Sequence, residues 1–313
     1  MVRFIVPWQI YAFRKMYRIL FIISMFCLLG ARQGYAQSQT QPKAELFCGA
    51  ELSYADVNYT RLYDVLVNLT PGGKFHLGHD WDVAFQGYIP VVNEGYGKRS
   101  SMVRLNMANI SKTVRMEQTR QYFKLTAGLF GRERYGADLR WMFPATGWLM
   151  FHARAGLTNH WALGSNLADA HEAVFDGNDW RFTGLLGTSV WLNPWATELR
   201  ATGGRYLNSD YGVEGEIIRH FKYCSVSIFA QLHEKGAEGN SRWHNNGGGF
   251  RIVMLLPPYK KQLDRKVVVR PQSNFRLTYN AQADGYTMRK YNTDPEENER
   301  TYPIDIPWGT GNL

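Results

Sequence analysis

Long segments of this chain alternate between apolar and polar side chains, and this period of two constrains the fold more than any other feature. In residues 148–158 the odd positions from 149 to 157 are all apolar, whereas the even positions include His152 and Arg154. Residues 223–233 and 80–89 repeat the pattern. Alternate side chains point to opposite faces of a β-strand. These segments are therefore predicted to be strands with one apolar and one polar face.

About fourteen segments are predicted to be strands on this basis, and no stretch with the helical period competes with them after residue 37. The predicted strands are residues 44–54, 59–69, 80–89, 101–114, 121–130, 135–143, 148–158, 180–192, 195–205, 211–221, 223–233, 247–256, 264–270 and 274–281. Corners rich in Gly, Pro, Asn and Asp separate them. The predicted corners are residues 71–73, 93–97, 144–147, 193–194, 208–210, 235–240 and 257–258.

Strand length and the position of charge distinguish two all-β architectures. A soluble sandwich has strands of about five or six residues with their apolar faces inside. A transmembrane barrel needs about 9 to 11 residues per strand, turns its apolar faces outward and carries aromatic girdles at strand ends. Most predicted strands here have about ten residues or more. The tryptophans that lie toward strand ends are Trp81, Trp141, Trp148, Trp180 and Trp195.

A bilayer offers backbone groups no hydrogen-bonding partner, so a sheet that crosses it must close on itself. Residues 37–281 are therefore predicted to form an all-β, antiparallel transmembrane-type β-barrel of about 12–16 strands. A secreted sandwich or a soluble barrel is the alternative.

Residues 1–36 are predicted to be a secretory signal peptide that is cleaved after Ala36. Basic residues, Arg14 and Arg18 among them, precede an apolar core at residues 19–30. This core has about a dozen residues, whereas a spanning helix needs about 20. Met16 lies directly before the apolar segment, so either Met1 or Met16 can be the start of the natural protein.

Charge and cysteine content exclude several classes of partner. The net charge is +9, of which residues 1–36 supply five charges without an acid. The other basic residues are scattered singly among acids, which argues against nucleic-acid binding. Cys48 and Cys224 form no metal-binding motif, so no metal or cofactor is predicted. They can pair in an oxidising compartment, but two separate thiols on the apolar face are favoured.

Two segments depart from the alternating pattern. Residues 159–179 are predicted to form a long polar loop on the outer side. Residues 282–313 contain DPEENER and several prolines and do not resemble a strand. This C-terminal tail is predicted to fold back as a plug, to extend away from the barrel or to bind a partner.

The polar faces of the predicted strands supply a set of candidate lumen residues. A water-filled passage for a chain of sugar rings requires aromatic rings and hydrogen-bonding groups along its wall. The candidates are Asp82, Tyr88, Arg104, Asp138, Arg140, Arg154, Trp191, Glu214, Glu216 and Tyr223, with Tyr122 beside them. The alternative is that these side chains fill and brace the barrel interior. Paired Arg and acidic residues predict a blocked passage at rest.

Glu214 and Glu216 are the candidate pair for a hydrolytic site. Two residues apart on one strand face, their positions are about 7 Å from each other, a separation that glycosidases use. Ion pairing of lumen acids with Arg or Lys is the favoured interpretation. No GxSxG motif supports a serine hydrolase, so no catalytic residues are predicted.

One stretch carries a specific order of residues that alternation does not require. Its positions are Gly204, Arg205, Tyr206, Leu207, Asp210, Gly212, Arg219, Phe221, Gly249, Phe250 and Pro257. The order and spacing resemble the YjbH/GfcD family of outer-membrane proteins over about 55 residues. Residues 240–246, NSRWHNN, stand where that family has a Phe-Gly-rich run. In plain structural terms, Asp210 and Gly212 are predicted to shape a turn, with Gly212 at positive φ. Arg219 is predicted to be an anchor at the membrane–water interface.

The resemblance implies a process, exopolysaccharide production. The prediction is a non-catalytic outer-membrane β-barrel of a Gram-negative cell, which takes part in export or surface assembly of an exopolysaccharide. Its expected partners are outer-membrane lipid, the polymer, and periplasmic or lipoprotein components of a secretion system. A general porin or structural surface barrel, including one associated with conjugation, and a barrel-embedded hydrolase are the alternatives.

Overall fold

The alternating segments form long β-strands in the computed structural model of the chain. The structure describes residues 42–55, 64–94, 101–116, 118–163, 173–234, 247–256, 266–280, 289–298, 302–304 and 308. The predicted signal peptide and Pro257 lie outside these residues. The strands are β1 (Ala44–Ala55), β2 (Asp64–Gly78), β3 (Trp81–Glu94), β4 (Arg104–Met116), β5 (Gln121–Phe130), β6 (Arg134–Pro144), β7 (Leu149–Leu163), β8 (Ala173–Leu192), β9 (Thr197–Arg205), β10 (Tyr211–His220), β11 (Cys224–His233), β12 (Gly247–Leu255), β13 (Val267–Pro271) and β14 (Asn274–Asn280).

These strands form a closed barrel of 13 strands, in which β13 and β14 are successive parts of one strand. Neighbours from β1 to β12 pair antiparallel, and β12 pairs antiparallel with β14. The predicted all-β barrel is thus confirmed. The seam differs from the antiparallel expectation, because β13 and β14 pair parallel with β1. An odd number of strands joined by hairpins leaves the first and last strands pointing the same way, so their pair has to be parallel.

The seam contains an irregularity at which the half-buried side chain of Gln272 lies. Ala44 is paired with Val267, but Leu52 is paired with Leu277, so the register shifts by two residues between them. Gln272 lies at this shift and donates its backbone N–H to the carbonyl of Cys48 at 2.9 Å. A Cβ on Gly49 would lie 1.9 Å from the Gln272 side-chain oxygen. Glycine at position 49 therefore makes room for Gln272 inside the barrel.

The two ends of the barrel are distinguished by the connections they carry. The near end is where β1 begins, and it holds the tight turns at residues 79–80, 145–148, 193–196 and 221–223. The far end holds the turns at residues 131–133 and 206–210. Because the strand number is odd, β14 finishes at the far end, opposite the start of β1. The chain after residue 280 thus begins at the far end.

The outer surface of the barrel is apolar. Outward side chains at mid-strand are highly exposed, for example Leu186 at 71 % and Ile228 at 68 %. Others are Leu125, Leu139, Phe151, Leu157, Leu199, Val213, Ile217, Val226 and Leu232. Soluble monomers rarely expose so large an apolar surface. Trp81, Trp148, Trp180 and Trp195 are also exposed, while Trp141 is half-buried.

In the described part of the chain, no helix has the length and apolar character that crossing a membrane requires.

Two expectations about local structure were wrong. Residues 71–73 are not a corner but part of β2, where a Cβ on Gly72 would lie 2.8 Å from the Phe47 ring. Glycine inside a strand marks such a close approach. The predicted loop at residues 159–179 is shorter, because β7 continues to Leu163 and β8 begins at Ala173. A register shift between Thr158 and His160 interrupts the alternation there, which conceals the strand in the sequence.

Candidate functional site in the barrel lumen

The C-terminal tail enters the barrel at the far end. Arg289 donates to the Asp210 carboxylate at 2.7 Å, and its carbonyl accepts the backbone N–H of Leu207 at 3.1 Å. The next residue, Lys290, donates to Glu214 at 2.7 Å. Asp210 and Leu207 belong to the turn between β9 and β10, and Glu214 faces the lumen from β10. Two basic tail residues thus pair with the acidic wall at this mouth.

Tyr291 fixes the tail to the middle of the wall. Its hydroxyl donates to Asp138 at 2.8 Å, and its ring stacks on Phe130 with centroids 5.5 Å apart. The Arg154 guanidinium lies 4.1 Å from the ring centroid. A Cβ on Gly156 would lie 1.8 Å from the Tyr291 hydroxyl oxygen. Burial raises the pKa of Tyr291, so the hydroxyl keeps the proton that it donates.

Asp138 is the centre of a network that unites three predicted site residues. Its carboxylate accepts from Arg140 Nε at 3.0 Å and from Arg154 Nε at 2.6 Å, and its side chain is 0 % exposed. Arg154 also donates to the backbone carbonyl of Tyr291 at 2.9 Å. A buried charge needs such partners to offset its desolvation. The network joins β6, β7 and the tail.

An acidic turn of the tail, residues 294–297, lies against a basic part of the wall. The Glu297 N–H donates to the Asp294 carbonyl at 3.2 Å and closes the turn. The ion pairs of its carboxylates are Asp294 with Lys74 at 2.8 Å and Lys124 at 3.6 Å, Glu296 with Arg270 at 2.7 Å, and Glu297 with Arg140 at 2.6 Å. Arg140 and Arg270 each grip their carboxylate with two nitrogens, which is the strong, bidentate geometry.

The carboxylates of this acidic turn are ionised at neutral pH. Burial raises the pKa of Asp294, but Lys74 and Lys124 lower it further than burial raises it, so that it lies below its ordinary value. Burial likewise raises the pKa of Glu297, and Arg140 more than offsets the effect. The turn therefore holds negative charge where the wall holds positive charge.

The last described tail residues lie at the near end in an apolar cluster. The cluster consists of Tyr122, Met142, Met150, Trp191, Ile304 and Trp308. Trp191 and Trp308 meet edge to face with centroids 6.2 Å apart. Tyr302 donates a short hydrogen bond to Glu198. The described tail residues thus follow the lumen from the far end to the near end, and they cover the candidate aromatics Tyr122 and Trp191.

Glu214 and Glu216 share a cation. Arg251 Nη1 donates to Glu216 at 2.8 Å and to Glu214 at 3.5 Å. Ser227 donates to Glu216 at 2.6 Å and Gln231 to Glu214 at 3.0 Å. Both carboxylates are therefore engaged by wall donors, as the ion-pair interpretation predicts.

Three further candidates lie inside the barrel, away from the acidic turn. Asp82 contacts His76 at 2.5 Å. Arg104 lies 5.2 Å from the ring centroid of Tyr88. Both pairs join neighbouring strands, since Asp82 is opposite His76 and Tyr88 is opposite Arg104 in the registers.

The placement of Tyr223 was wrong. This residue lies in the turn before β11 and is 63 % exposed, with the Lys222 ammonium 5.3 Å from its ring centroid. The alternation that assigned it to the lumen ends where the strand ends, at Cys224. Tyr223 is thus an outer residue of the near end.

The family-motif residues of the far-end turn form a compact structural unit. Tyr206 is 0 % exposed and meets His233 edge to face at 4.5 Å. Asp210 accepts from Arg289, and His233 Nδ1 lies 3.0 Å from the same carboxylate oxygen. Gly212 does not supply the positive φ that was expected, because Ser209 has it, at 63°. A Cβ on Gly212 would lie 2.1 Å from the His233 ring, so glycine is required there for space.

The other motif residues lie on the wall. Gly204 in β9 has φ 143° and a Cβ there would meet the Gly184 carbonyl at 2.1 Å, whereas Arg205 is half-buried beside it. Leu207 packs with Phe130 and Tyr291. On the outside, Arg219 lies 5.6 Å from the Phe221 ring centroid at the near end. Phe250, next to Gly249, stacks on Tyr279 at 5.4 Å.

Sequence reasoning missed the wall residues that hold the tail. Lys74, Lys124 and Arg270 each lie on the polar face of a strand, and Glu198 does so on β9. The signal that could have found them is the number of basic side chains in the lumen compared with the number of acidic ones. Basic side chains in excess can pair with an acidic tail. Among the described residues, no three His, Cys, Asp or Glu side chains are grouped as a metal site would require.

Gly156 offers a way to displace the tail without changing any charge. A Gly156→Val substitution is expected to force Tyr291 away from Asp138, because the new side chain occupies the position of the hydroxyl. In planar lipid bilayers, this variant should show ion conductance at least about tenfold above that of the unchanged protein. Gly147→Val is the control, since no atom lies within 4 Å of its Cβ position. Equal conductance of both variants would contradict the role assigned to Gly156.

The functional evidence for this chain is thus the geometry of its lumen: a polar wall, an acidic and a basic section, and a tail that pairs with both. No protein-family model, curated protein or solved structure matches the chain.

Proposed function

We propose that this chain is an outer-membrane β-barrel protein that takes part, without catalysis, in the export or surface assembly of an exopolysaccharide. One observation carries the proposal: an apolar outer surface encloses a polar lumen that the chain's own tail occupies. A signal peptide at residues 1–36 brings such a chain to the periplasm, and closure of the sheet allows it to enter a bilayer.

The outer surface supports a membrane location. Leu125, Leu186 and Ile228 are each more than half exposed within strands, where water would make contact in a soluble protein. In a bilayer these side chains contact acyl chains instead. The tryptophans near strand ends then lie at the level of the lipid head groups.

The lumen supports a passage that is closed at rest. A barrel of this strand number is wide enough for a narrow channel, whereas an eight-stranded barrel is filled by its own side chains. Here the described tail residues lie along the lumen and contact the wall mainly through ion pairs and hydrogen bonds. Polar contacts of this kind are exchangeable with those of a polar cargo.

A polysaccharide is part of the proposal because the stretch from Gly204 to Phe250 resembles the YjbH/GfcD family. The non-catalytic role is supported by the engagement of Glu214 and Glu216 with Arg251. A catalytic carboxyl pair needs both members within reach of a substrate, and here one guanidinium binds both carboxylates.

Deletion of the gene in its native host tests the proposal. The deletion strain is expected to release less than about a tenth of the usual exopolysaccharide, measured as total hexose and uronic acid in the cell-free medium. Expression of the unchanged chain should restore the release. Expression of the Glu214→Gln, Glu216→Gln variant serves as the control for catalysis and should also restore it wherever the variant folds.

Two outcomes point elsewhere. Normal release by the deletion strain, combined with slower uptake of small neutral sugars, would identify a general porin. Loss of release in the double Gln variant, with the barrel still folded, would identify a hydrolase.

A further inference from the structure

The wall that holds the acidic turn is a ready-made site for carboxylates. Lys74, Lys124, Arg140 and Arg270 come from four different strands, β2, β5, β6 and β13, and their side chains are 20 %, 10 %, 9 % and 12 % exposed. In the described residues, the ion pairs of Lys74 and Lys124 are made with tail carboxylates. These two cations therefore depend on the tail for their charge compensation.

Neutral donors accompany the cations. Gln86 donates to the Pro295 carbonyl at 3.3 Å, Asn109 to the Thr293 carbonyl at 3.0 Å and Asn274 to the Glu296 carbonyl at 3.4 Å. These amides bind backbone oxygens, so they recognise no particular side chain. The hydroxyl and ring oxygens of a sugar accept such hydrogen bonds equally well.

The arrangement of the cations indicates a chain rather than a single anion. Three carboxylates on residues 294–297 reach four cations spread across the wall. A small anion contacts one or two of them, whereas a polymer with repeated carboxylates compensates all of them, as the tail does. Arg recognises a planar carboxylate through two parallel hydrogen bonds, and the two arginines already do so here.

We propose that this wall is a binding site for a carboxylate-bearing polysaccharide, and that the acidic turn of the tail occupies the site until the polymer displaces it. The inference rests on the proposed function and adds the substrate class, a polymer of acidic sugars. Withdrawal of the tail leaves Lys74 and Lys124 without their carboxylate partners, whereas Arg140 keeps Asp138 and Arg270 keeps Glu45. The lumen then prefers anions.

The test uses the full-length chain with Asp294→Asn, Glu296→Gln and Glu297→Gln. These changes keep the size of the tail and remove the negative charge of the acidic turn, so Lys74 and Lys124 are left for an added ligand. The matched control carries Asp80→Asn, Glu94→Gln and Glu234→Gln, which lie outside the tail. Heat-dependent migration in gels verifies that both variants remain folded barrels.

Two measurements report on the site. Hexagalacturonate is expected to raise the thermal unfolding midpoint of the triple tail variant by a few degrees, whereas maltohexaose, which is neutral, should leave it unchanged. In planar bilayers the tail variant should be anion-selective, and hexagalacturonate should block it at a concentration about tenfold lower than maltohexaose does. Additional Lys74→Gln and Arg270→Gln substitutions should remove both effects.

The outcomes separate the site from the wider function. Absence of both the midpoint shift and the selective block would overturn the site. A midpoint shift with the peptide Asp-Pro-Glu-Glu, but none with hexagalacturonate, would also overturn it and assign the wall to an acidic protein segment. Selective binding of hexagalacturonate, together with normal polymer release by the deletion strain, would retain the site and reject the export function.

Discussion

Replacement of Asp138 with Ala should lower the free energy of unfolding by about 3–5 kcal/mol, because it leaves the guanidinium of Arg154 without its carboxylate partner and Arg140 with Glu297 alone. The Asp138 side chain is 0 % exposed and accepts from Arg140, Arg154 and Tyr291. Loss of this one carboxylate therefore removes three side-chain contacts at the point where β6, β7 and the tail meet. Urea-induced unfolding in detergent micelles, followed by tryptophan fluorescence, measures the change.

Asp82→Ala is the matched control for this prediction. Asp82 also faces the lumen and contacts a single basic residue, His76, but its side chain is 32 % exposed. A partly exposed pair contributes less than about 1 kcal/mol. If the Asp138 variant lost no more stability than the Asp82 variant, the central role of Asp138 would be refuted.

A disulfide between positions 131 and 292 should form readily and lock the tail in the lumen. A Cβ at Gly131 would lie 3.5 Å from the Cβ of Asn292, within the range of about 3.5–4.5 Å that disulfides require. In a background with Cys48→Ala and Cys224→Ala, the Gly131→Cys, Asn292→Cys pair is expected to oxidise in most molecules. The fraction is measured by mass spectrometry after thiol alkylation.

The locked tail should also suppress conductance. Combined with the three neutral substitutions of the acidic turn, the oxidised form should open at least about tenfold less often than the reduced form. A control pair, Ser225→Cys with Asn292→Cys, joins the near end to the far end and should stay reduced. Equal oxidation of both pairs would mean that the tail samples the whole lumen and has no fixed position there.

The strands were predictable because their signal is local. Alternation in residues 148–158 and 223–233 depends on neighbouring positions and on a wall with one apolar and one polar face. All fourteen predicted segments overlap observed strands. The ends of the strands were less predictable, as at Tyr223 and at residues 159–163. A turn or a register shift there changes the side of the sheet on which a side chain lies, without changing the residue types of the segment.

The seam and the tail were not predictable from alternation. The parallel pairing of β1 with β13 joins residues more than 200 positions apart, and no local pattern encodes it. The tail contacts depend on Gly156, whose missing side chain admits Tyr291, and on lumen cations such as Lys74. A glycine on the polar face of a strand indicates such a close approach, but it does not identify the residue that packs against it.

Spin labels placed singly at positions 225–232 of β11 measure whether the barrel turns its apolar faces to lipid and its polar faces to the lumen. In lipid vesicles, collision with dissolved oxygen should be frequent at positions 226, 228, 230 and 232, where the native side chains face outward, and rare at the odd positions, where Ser225 and Ser227 are 2 % and 3 % exposed. Low oxygen access at the even positions, in a protein that stays in solution without lipid, would contradict the account.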